Sequence, residues 1–550
     1  MAERSRGQTR FADGGYPDAG PRVVLASFAQ ERAWLASQIA RDVPLYHVVD
    51  ELAIHARISE QDVRDAFAAV VARHESLRTA FRVVDGALMQ VVHPRNDTAM
   101  GFADLRGDDE DKQAELCGIL AGDLAFEPFD FGRAQLWRAT LACLGDGDWI
   151  VLLVAHHAVY DTASGFNVYA ELTEMCAAAE QDREPVLPEL PTQYAEYAAR
   201  QRDRLAGDGL DELAGFWGSA LAGLPSVHGI PLDHPRSPVR TFAGADVRAT
   251  LPADAEAMLP EAARQHQATP FMVLLAAYVL LLHRRSGRDD IVVGVPVAGR
   301  DRPELLALIG TFVNMLVLRV DTSGDPTFAQ LIERVREASL SAWQHQEMPF
   351  QKLVELLADP RRPGVPPLYQ LGFNLLTTRD FGSPSATAED DLLLEVADGT
   401  VRLEYNTALF DRGTARGLLS DYVRILAAGL AAPATVMSRL PAAAAKDHQA
   451  SRPALTRAGD CARAGRPAPR TATEVLVAEV WSDVLGVERV GAFDNFFDLG
   501  GHSLQALRIL ARLSAGCGVE LTIQAFFTET TVAGLAAELE RLQSRRKTWR

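Results

Sequence analysis

Residues 442–468 divide this chain. The run AAAAKDHQASRPALTRAGDCARAGRPA is rich in Ala, Arg and Pro and has neither strand nor helix periodicity. It can bury no face of its own and reads as a flexible linker. A coil of that length has a root-mean-square span on the order of 30 Å. The segments on either side must each build a core, and the one after the linker can swing back onto the one before it. The polar, Gly-rich stretch 1–21 reads as a disordered N-terminus, and 544–550 as a tail.

Residues 22–441 mix helical and extended patterns, which predicts an α/β fold. Glu60 to Arg73 carries Val63, Phe67, Val70 and Val71 on one stripe, with Ser59 placed to cap it. Trp149 to Ala155 and Asp290 to Val297 are apolar runs of strand length, expected for strands buried on both faces. Phe271 to Leu282 is the longest apolar run and stops at His283-Arg284-Arg285. That is short of the roughly 20 residues needed to span a bilayer, so it reads as a buried helix.

Beyond the linker the pattern is helical. Leu476, Val480 and Val484 recur at i, i+4 and i+8, and Gly486 stands where that helix would stop. Ser503 opens a segment bearing Leu504, Leu507, Ile509 and Leu510, and Thr531 is placed to cap a last helix carrying Leu535, Leu539 and Leu542. Residues 469–543 are therefore expected to form a small all-α bundle.

The net charge of −18, with basic residues clustered only in Arg541 to Arg550, argues against a nucleic-acid partner. Cys117, Cys143, Cys176, Cys461 and Cys517 are scattered without a Cys-x-x-Cys pair, as expected of free thiols in a reducing cytoplasm. The N-terminus lacks the apolar stretch of a secretory signal. A cytoplasmic protein without a membrane partner is expected.

Two clusters carry chemistry. Ser503 follows Asp498-Leu499-Gly500-Gly501-His502. A serine at a helix start can hold a phosphodiester, because the free backbone N–H groups and the helix dipole favour an anion. Gly500 and Gly501 let a modifying enzyme approach the backbone. Taken alone, these residues fit an ordinary N-cap serine at least as well.

The second cluster is His156-His157-Ala158-Val159-Tyr160-Asp161, directly after the apolar run that begins at Trp149. Neighbouring side chains on an extended segment face opposite ways, so one imidazole can face a cavity and the other the scaffold. Three readings stand: a metal site, for which no further ligand cluster stands out; buried structural histidines; and acyl transfer with a histidine as base or amine-positioning group.

The longer strings resolve both clusters. Val490 through Leu504, including Asp494-Asn495-Phe496-Phe497, resembles the signature of peptidyl carrier proteins of nonribosomal peptide synthetases. Residues 22–441 resemble a condensation domain of the same synthetases through seven motifs in order. These are Ser27 to Leu35, Arg73 to Phe81, His156 to Asp161, Tyr194 to Tyr197, Ile309 to Asn314, His345 to Phe350, and Pro367 to Gln370. The fifth is preceded by Gly294-Val295-Pro296 and Gly299-Arg300.

The resemblance implies a two-lobed chloramphenicol-acetyltransferase-like fold, the lobes at about 22–190 and 191–441, with a tunnel between them, followed by a four-helix carrier bundle. It implies that His157 and His156 are catalytic, with His157 as the active-site histidine. Asp161 is then structural and pairs with an upstream arginine, whose position Arg138 matches. It implies covalent 4'-phosphopantetheine on Ser503 and no metal. Amide formation by attack of a carrier-bound amine on a donor thioester is the expected reaction. Ester formation or transfer to a non-amino-acid acceptor, and a catalytically weak recruiting module, are the alternatives. Expected partners are an upstream donor carrier protein or synthetase, a phosphopantetheinyl transferase, and a downstream condensation or release enzyme.

The chain departs from the family pattern at Thr162, where glycine is usual, and at His47, Met315 and Arg200, where asparagine, threonine or cysteine, and tryptophan are common. Bulk at Thr162 is expected to narrow the acceptor side, change the nucleophile accepted or weaken activity. The larger departure is the absence of an adenylation domain between the condensation and carrier segments. The acceptor on Ser503 is therefore expected to be loaded in trans by a separate adenylating enzyme. Asp483, Glu488, Asp494 and Asp498 make the carrier acidic, which suits a basic partner face or simply a solvated surface.

Overall fold

The computed structural model describes residues 20–39, 43–95, 99–237, 240–357, 364–376, 387–441, 468–496, 499, 503–519, 521, 525–526 and 529–547. Nearly all of the expected disordered N-terminus, the linker with Cys461, Asp498, and the Gly500-Gly501-His502 run lie outside the described residues.

The chain forms two compact units, 1–209 with 298–313, and 210–297 with 314–550. The first contains β1 (Arg22–Leu25), α1 (Phe28–Ile39), β2 (His47–His55), α2 (Glu60–Arg73), β3 (Thr79–Val84), β4 (Ala87–Val92), β5 (Gly101–Asp104), α3 (Glu110–Phe126), β6 (Trp137–Gly145), β7 (Asp148–His156), α4 (Thr162–Glu180) and α5 (Tyr194–Arg204). Its main sheet has the order β2-β7-β6-β5. The two pairings made by β7 are antiparallel, and β5 runs parallel to β6.

Residue parity sends side chains of this sheet into two cores. Trp137, Ala139, Leu141, Val151, Leu153 and Ala155 pack in one cluster with residues of α2 and α4. Ala142 and Leu152 pack with Cys117 and Ala121 of α3. Burial on both faces explains why β7 reads as an unbroken apolar run. On α2, Ser59 and Asp62 form a capping box, and Val63, Phe67, Val70 and Val71 are buried.

Helix α5 and the connection 298–313 belong to this first unit, although the sequence reading gives both to the second lobe. The physical reason is Tyr194. Its buried hydroxyl bonds Ser27 Oγ at 2.7 Å and the Thr311 carbonyl at 2.6 Å, and its ring packs on Phe312.

The second unit holds α6 (Asp208–Ala220), β8 (Gly244–Thr250), α7 (Ala253–Gln265), α8 (Pro270–Ser286), β9 (Asp290–Val297), β10 (Asn314–Asp321), α9 (Phe328–Gln344), α10 (Phe350–Leu357), β11 (Leu371–Leu375), β12 (Leu392–Ala397), β13 (Thr400–Asn406) and α11 (Arg412–Ala431). Its sheet runs β10-β9-β11-β12-β13-β8. Helix α8 is capped by Thr269 with Pro270 in its first turn, ends on left-handed Gly287, and buries every residue from Met272 to Leu282. Apolar all round, it is the core helix of this unit. Among the described residues no single helix is long and apolar enough to cross a membrane.

After the linker come α12 (Ala472–Leu485), α13 (Ser503–Cys517) and α14 (Val532–Lys547). Gly486 closes α12 in the left-handed region, at φ 69°, and the Thr531 hydroxyl accepts from the Gly534 N–H. The deepest seam of α12 is Val477, Ala478 and Trp481, with Leu476, Val480 and Val484 half-buried beside it. The seam lies one position from the expected stripe because the Trp481 indole fills the centre, against Phe496 and Phe526.

Candidate active site

The site is built where β7 ends and α4 begins. His156 is the last residue of β7, in register with His47 of β2, and Asp161 caps α4. Between them the chain turns, and the His157 N–H donates to the Tyr46 carbonyl at 2.8 Å.

The two histidines have different surroundings. His156 is 1% exposed. Its Nδ1 accepts from the Ala158 N–H at 3.0 Å, so Nε2 must carry the ring proton. That nitrogen lies 2.9 Å from Ser37 Oγ, and the Ser37 hydroxyl donates to the Ala33 carbonyl at 3.0 Å. Burial above all, with His47 and His157 adding to it, holds the His156 pKa well below the usual histidine range. His156 is thus a neutral scaffold group whose tautomer cannot take a proton from Ser37. His157 is half-buried, and its Nδ1 lies 3.3 Å from Thr311 Oγ1.

Asp161 is 1% exposed and fully engaged. Its Oδ1 accepts from the Ser164 N–H at 2.8 Å, the Ser164 hydroxyl at 2.7 Å and Arg300 Nη2 at 2.8 Å. Its Oδ2 accepts from the Phe312 N–H at 3.1 Å. Arg300 also donates to the carbonyls of Leu305 and Leu308, each at 2.7 Å, and lies over the Phe312 ring. One ion pair therefore ties the 298–313 segment, with Thr311, to the turn that carries His157.

This corrects the expected partnership of Asp161 with Arg138. Arg138 donates to the carbonyls of Leu124, Glu127 and Pro128 at the end of α3 and lies over Phe129. On β6 the parity that sends Trp137 and Ala139 toward α2 and α4 sends Arg138 toward α3, the opposite face. In the sequence, Arg300 stands out only as part of the Gly299-Arg300 string ahead of the fifth motif. Gly299 sits at φ 64°, and a Cβ there would meet the Phe312 carbonyl oxygen at 2.0 Å, so a tight turn aims Arg300 inward.

Thr162 is the first residue of α4 and is exposed. Arg200 donates to Thr192 Oγ1, and Met315 is half-buried on β10. His47 donates from Nδ1 to the Ala125 carbonyl at 2.7 Å. Among the described residues no three His, Cys, Asp or Glu side chains converge as metal ligands. Ser503 is the first residue of α13.

Comparison with known proteins places this geometry. Residues 21–450 match the condensation domain family, and 475–539 match the phosphopantetheine attachment site family. A linear gramicidin synthase of Brevibacillus parabrevis is 37% identical over 76% of this chain and 6% of its own length. The isonitrile lipopeptide synthase of Mycobacterium tuberculosis is 32% identical over 90% of this chain and 21% of its own. The chain thus spans a small part of these relatives. Among solved structures, the X-domain from teicoplanin biosynthesis is 26% identical, with a TM-score of 0.66 over 77% of this chain and 98% of that one. SgcC5 from Streptomyces globisporus, in complex with (R)-(-)-1-(2-naphthyl)-1,2-ethanediol and sucrose, is 26% identical, with a TM-score of 0.65 over 75% of this chain and 100% of that one.

Fold and matches define a two-unit chloramphenicol-acetyltransferase-like domain followed by a phosphopantetheine carrier. The chain belongs to the condensation domain family of nonribosomal peptide synthetases, as a condensation–carrier module.

Proposed function

We propose that this chain joins a donor acyl group to an acceptor amine tethered on Ser503, with His157 as the catalytic histidine. The observation that carries the reading is the unlike state of the two adjacent imidazoles. His156 is neutral with both nitrogens engaged. His157 is half-buried on a turn fixed by Asp161 and Arg300.

The donor thioester carbon gains the C–N bond and loses the C–S bond, and the amine proton passes by way of His157 to the departing thiolate. A free α-amino group has a pKa of about 7.7–8.0, so on the order of a tenth of it is neutral and nucleophilic at about pH 7. Holding the reactants in line supplies a large share of the acceleration. His157 orients the amine and takes up its proton as the bond forms. Thr311 beside Nδ1 fixes the ring.

Ser503 opens a helix, a position that suits a phosphodiester, since the first N–H groups of a helix and its dipole favour an anion. Phosphopantetheine bound there supplies a terminal thiol that carries acyl groups as thioesters. The matched families leave only 451–474 between them, too short for a further folded domain. Ser503 is therefore loaded by an adenylating activity that does not lie between the two matched families, and we assign it to a separate adenylating enzyme. A phosphopantetheinyl transferase installs the arm, an upstream carrier brings the donor, and a downstream condensation or release enzyme takes the product.

Intact-protein mass spectrometry tests this. Holo-protein given amino acids and ATP alone should stay unloaded. Loaded protein given a charged donor carrier should gain the donor mass on Ser503, and His157→Ala should not. Unchanged transfer in a folded His157→Ala protein overturns the reading. A second reading keeps the site but uses a hydroxyl acceptor, as the diol held by SgcC5 makes chemically reasonable. An ester product cleaved by mild base would establish it. No transfer with both carriers loaded would instead leave a recruiting module.

A further inference from the structure

The first unit contains a cavity of about 420 Å³ beside His156. Small-molecule sites run from about 300 to 1,000 Å³, so it can hold one ring with short substituents. Its lining comes from α1, the 43–47 segment, β3, the loop after α3 and His156, while His157 is not part of it.

The walls are aromatic. Trp34, Phe81, Phe129 and Phe131 line the cavity together with His47 and His156. These rings already pack on one another: His47 and Phe129 centroids are 4.8 Å apart, and those of Phe131 and His156 are 4.7 Å apart. A planar ring entering such a space meets edges and faces on several sides.

The polar groups make a specific demand. The Ala125 carbonyl can only accept, so the His47 Nδ1 beside it carries the ring proton. Burial holds the His47 pKa down, its bond to Ala125 opposes this, and the charge of Arg138 adds to the lowering. His47 is therefore neutral with a bare Nε2 lone pair, which has no hydrogen-bond partner among the described residues. The other polar walls are committed. His156 uses both nitrogens, and the Ser37 hydroxyl is donated to Ala33. Asp130 accepts from the Gly132 N–H and pairs with Arg133. Arg82, also on the lining, is exposed. With one cation and one anion on the lining, the cavity does not select a charged guest. Gln38, also on the lining, has an interaction of its own, which leaves the His47 Nε2 lone pair, between aromatic walls, without a hydrogen-bond donor.

We propose that this cavity binds a small neutral hydroxyaryl group, its ring between the aromatic walls and its O–H donated to His47 Nε2. The site is separate from the turn that carries His157 and does not depend on amide formation there.

Fluorine NMR titration of the full chain tests it, with 4-fluorophenol as the probe. Fluorobenzene lacks the donor, and 4-fluoroanisole has it blocked. Saturable binding of 4-fluorophenol is expected, with the two controls about five- to ten-fold weaker, the worth of one hydrogen bond. In His47→Phe, which keeps an aromatic wall, 4-fluorophenol should fall to the level of fluorobenzene. No saturable 4-fluorophenol binding, or equal affinity for all three probes on the unaltered protein, overturns the proposal whether or not the variant folds. A folded His47→Phe protein that binds 4-fluorophenol as tightly as before also overturns it.

Discussion

Arg300 Nη2 lies 2.8 Å from Asp161 Oδ1, across 139 residues of chain, with both side chains buried. Removing one partner of such a pair leaves an uncompensated buried charge, at a cost of about 3–5 kcal/mol. Arg300→Ala should therefore lower the denaturation midpoint and, by freeing the 298–313 segment, lower turnover as well. Arg138→Ala loses bonds to three carbonyls but leaves Asp161 untouched, so turnover should hold to within a few-fold. Urea melts and product assays on both variants check this. A greater loss of turnover in Arg138→Ala than in Arg300→Ala would restore the Arg138 pairing.

The adjacent histidines should separate stability from chemistry. His157→Ala removes a half-buried ring and should leave the melt nearly unchanged while abolishing most product. His156→Ala empties a buried site and strands the Ala158 N–H, which should cost about 2–4 kcal/mol. Ser37 should not react with a fluorophosphonate, because His156 presents it a proton rather than a lone pair. Labelling of Ser37 would mean that the tautomer is the other one.

Acid should destabilise the first unit through His47 and His156. Both are held below the usual histidine pKa by burial above all. On unfolding each regains its ordinary value of about 6.5. Their contribution is therefore full above about pH 6.5 and is lost as pH falls from there toward the depressed folded values. Each contributes a slope of up to about 1.4 kcal/mol per pH unit. The Asp50 carboxyl, raised by burial, works in the opposite sense at lower pH. Urea melts from pH 7.5 to 5.0, a range of about 2.5 units around the histidine window, should show falling stability, with a shallower slope in His47→Phe. An unchanged slope in that variant removes His47 from the account.

What the sequence made legible was local. The α2 stripe with its Ser59 cap, the two strand-length apolar runs, and Gly486 and Thr531 at helix ends each follow from neighbours within a few turns of chain. The two-sided burial of β7 could be read because it forces an apolar residue at every position. The Arg300–Asp161 pair could not be read this way. It joins residues 139 apart, and one arginine in a loop looks like another until a fold decides which face it meets. Arg138 matched the expected position in sequence, but strand parity points it at α3. The single-residue shift on α12 has a similar cause, since one large indole takes the centre of a small bundle and moves the seam to itself.

Gly310 offers the sharpest test of how the 298–313 segment supports His157. A Cβ there would lie 2.1 Å from Tyr194 Cδ2. The ring cannot easily retreat, because Tyr194 is buried, bonds Ser27 and the Thr311 carbonyl through its hydroxyl, and packs on Phe312. Gly310→Ala must therefore move the segment instead, at a cost of about 1–3 kcal/mol for an overpacked contact. The next residue, Thr311, carries the contact to His157 Nδ1, so turnover should fall together with stability. Removing the ring removes the clash. In a Tyr194→Ala background, itself less stable, Gly310→Ala should cost clearly less than it does alone, a coupling that denaturant melts of all four proteins can measure. If the two changes simply add, the clash is not what excludes a side chain at 310, and the link from Tyr194 through Thr311 to His157 fails with it.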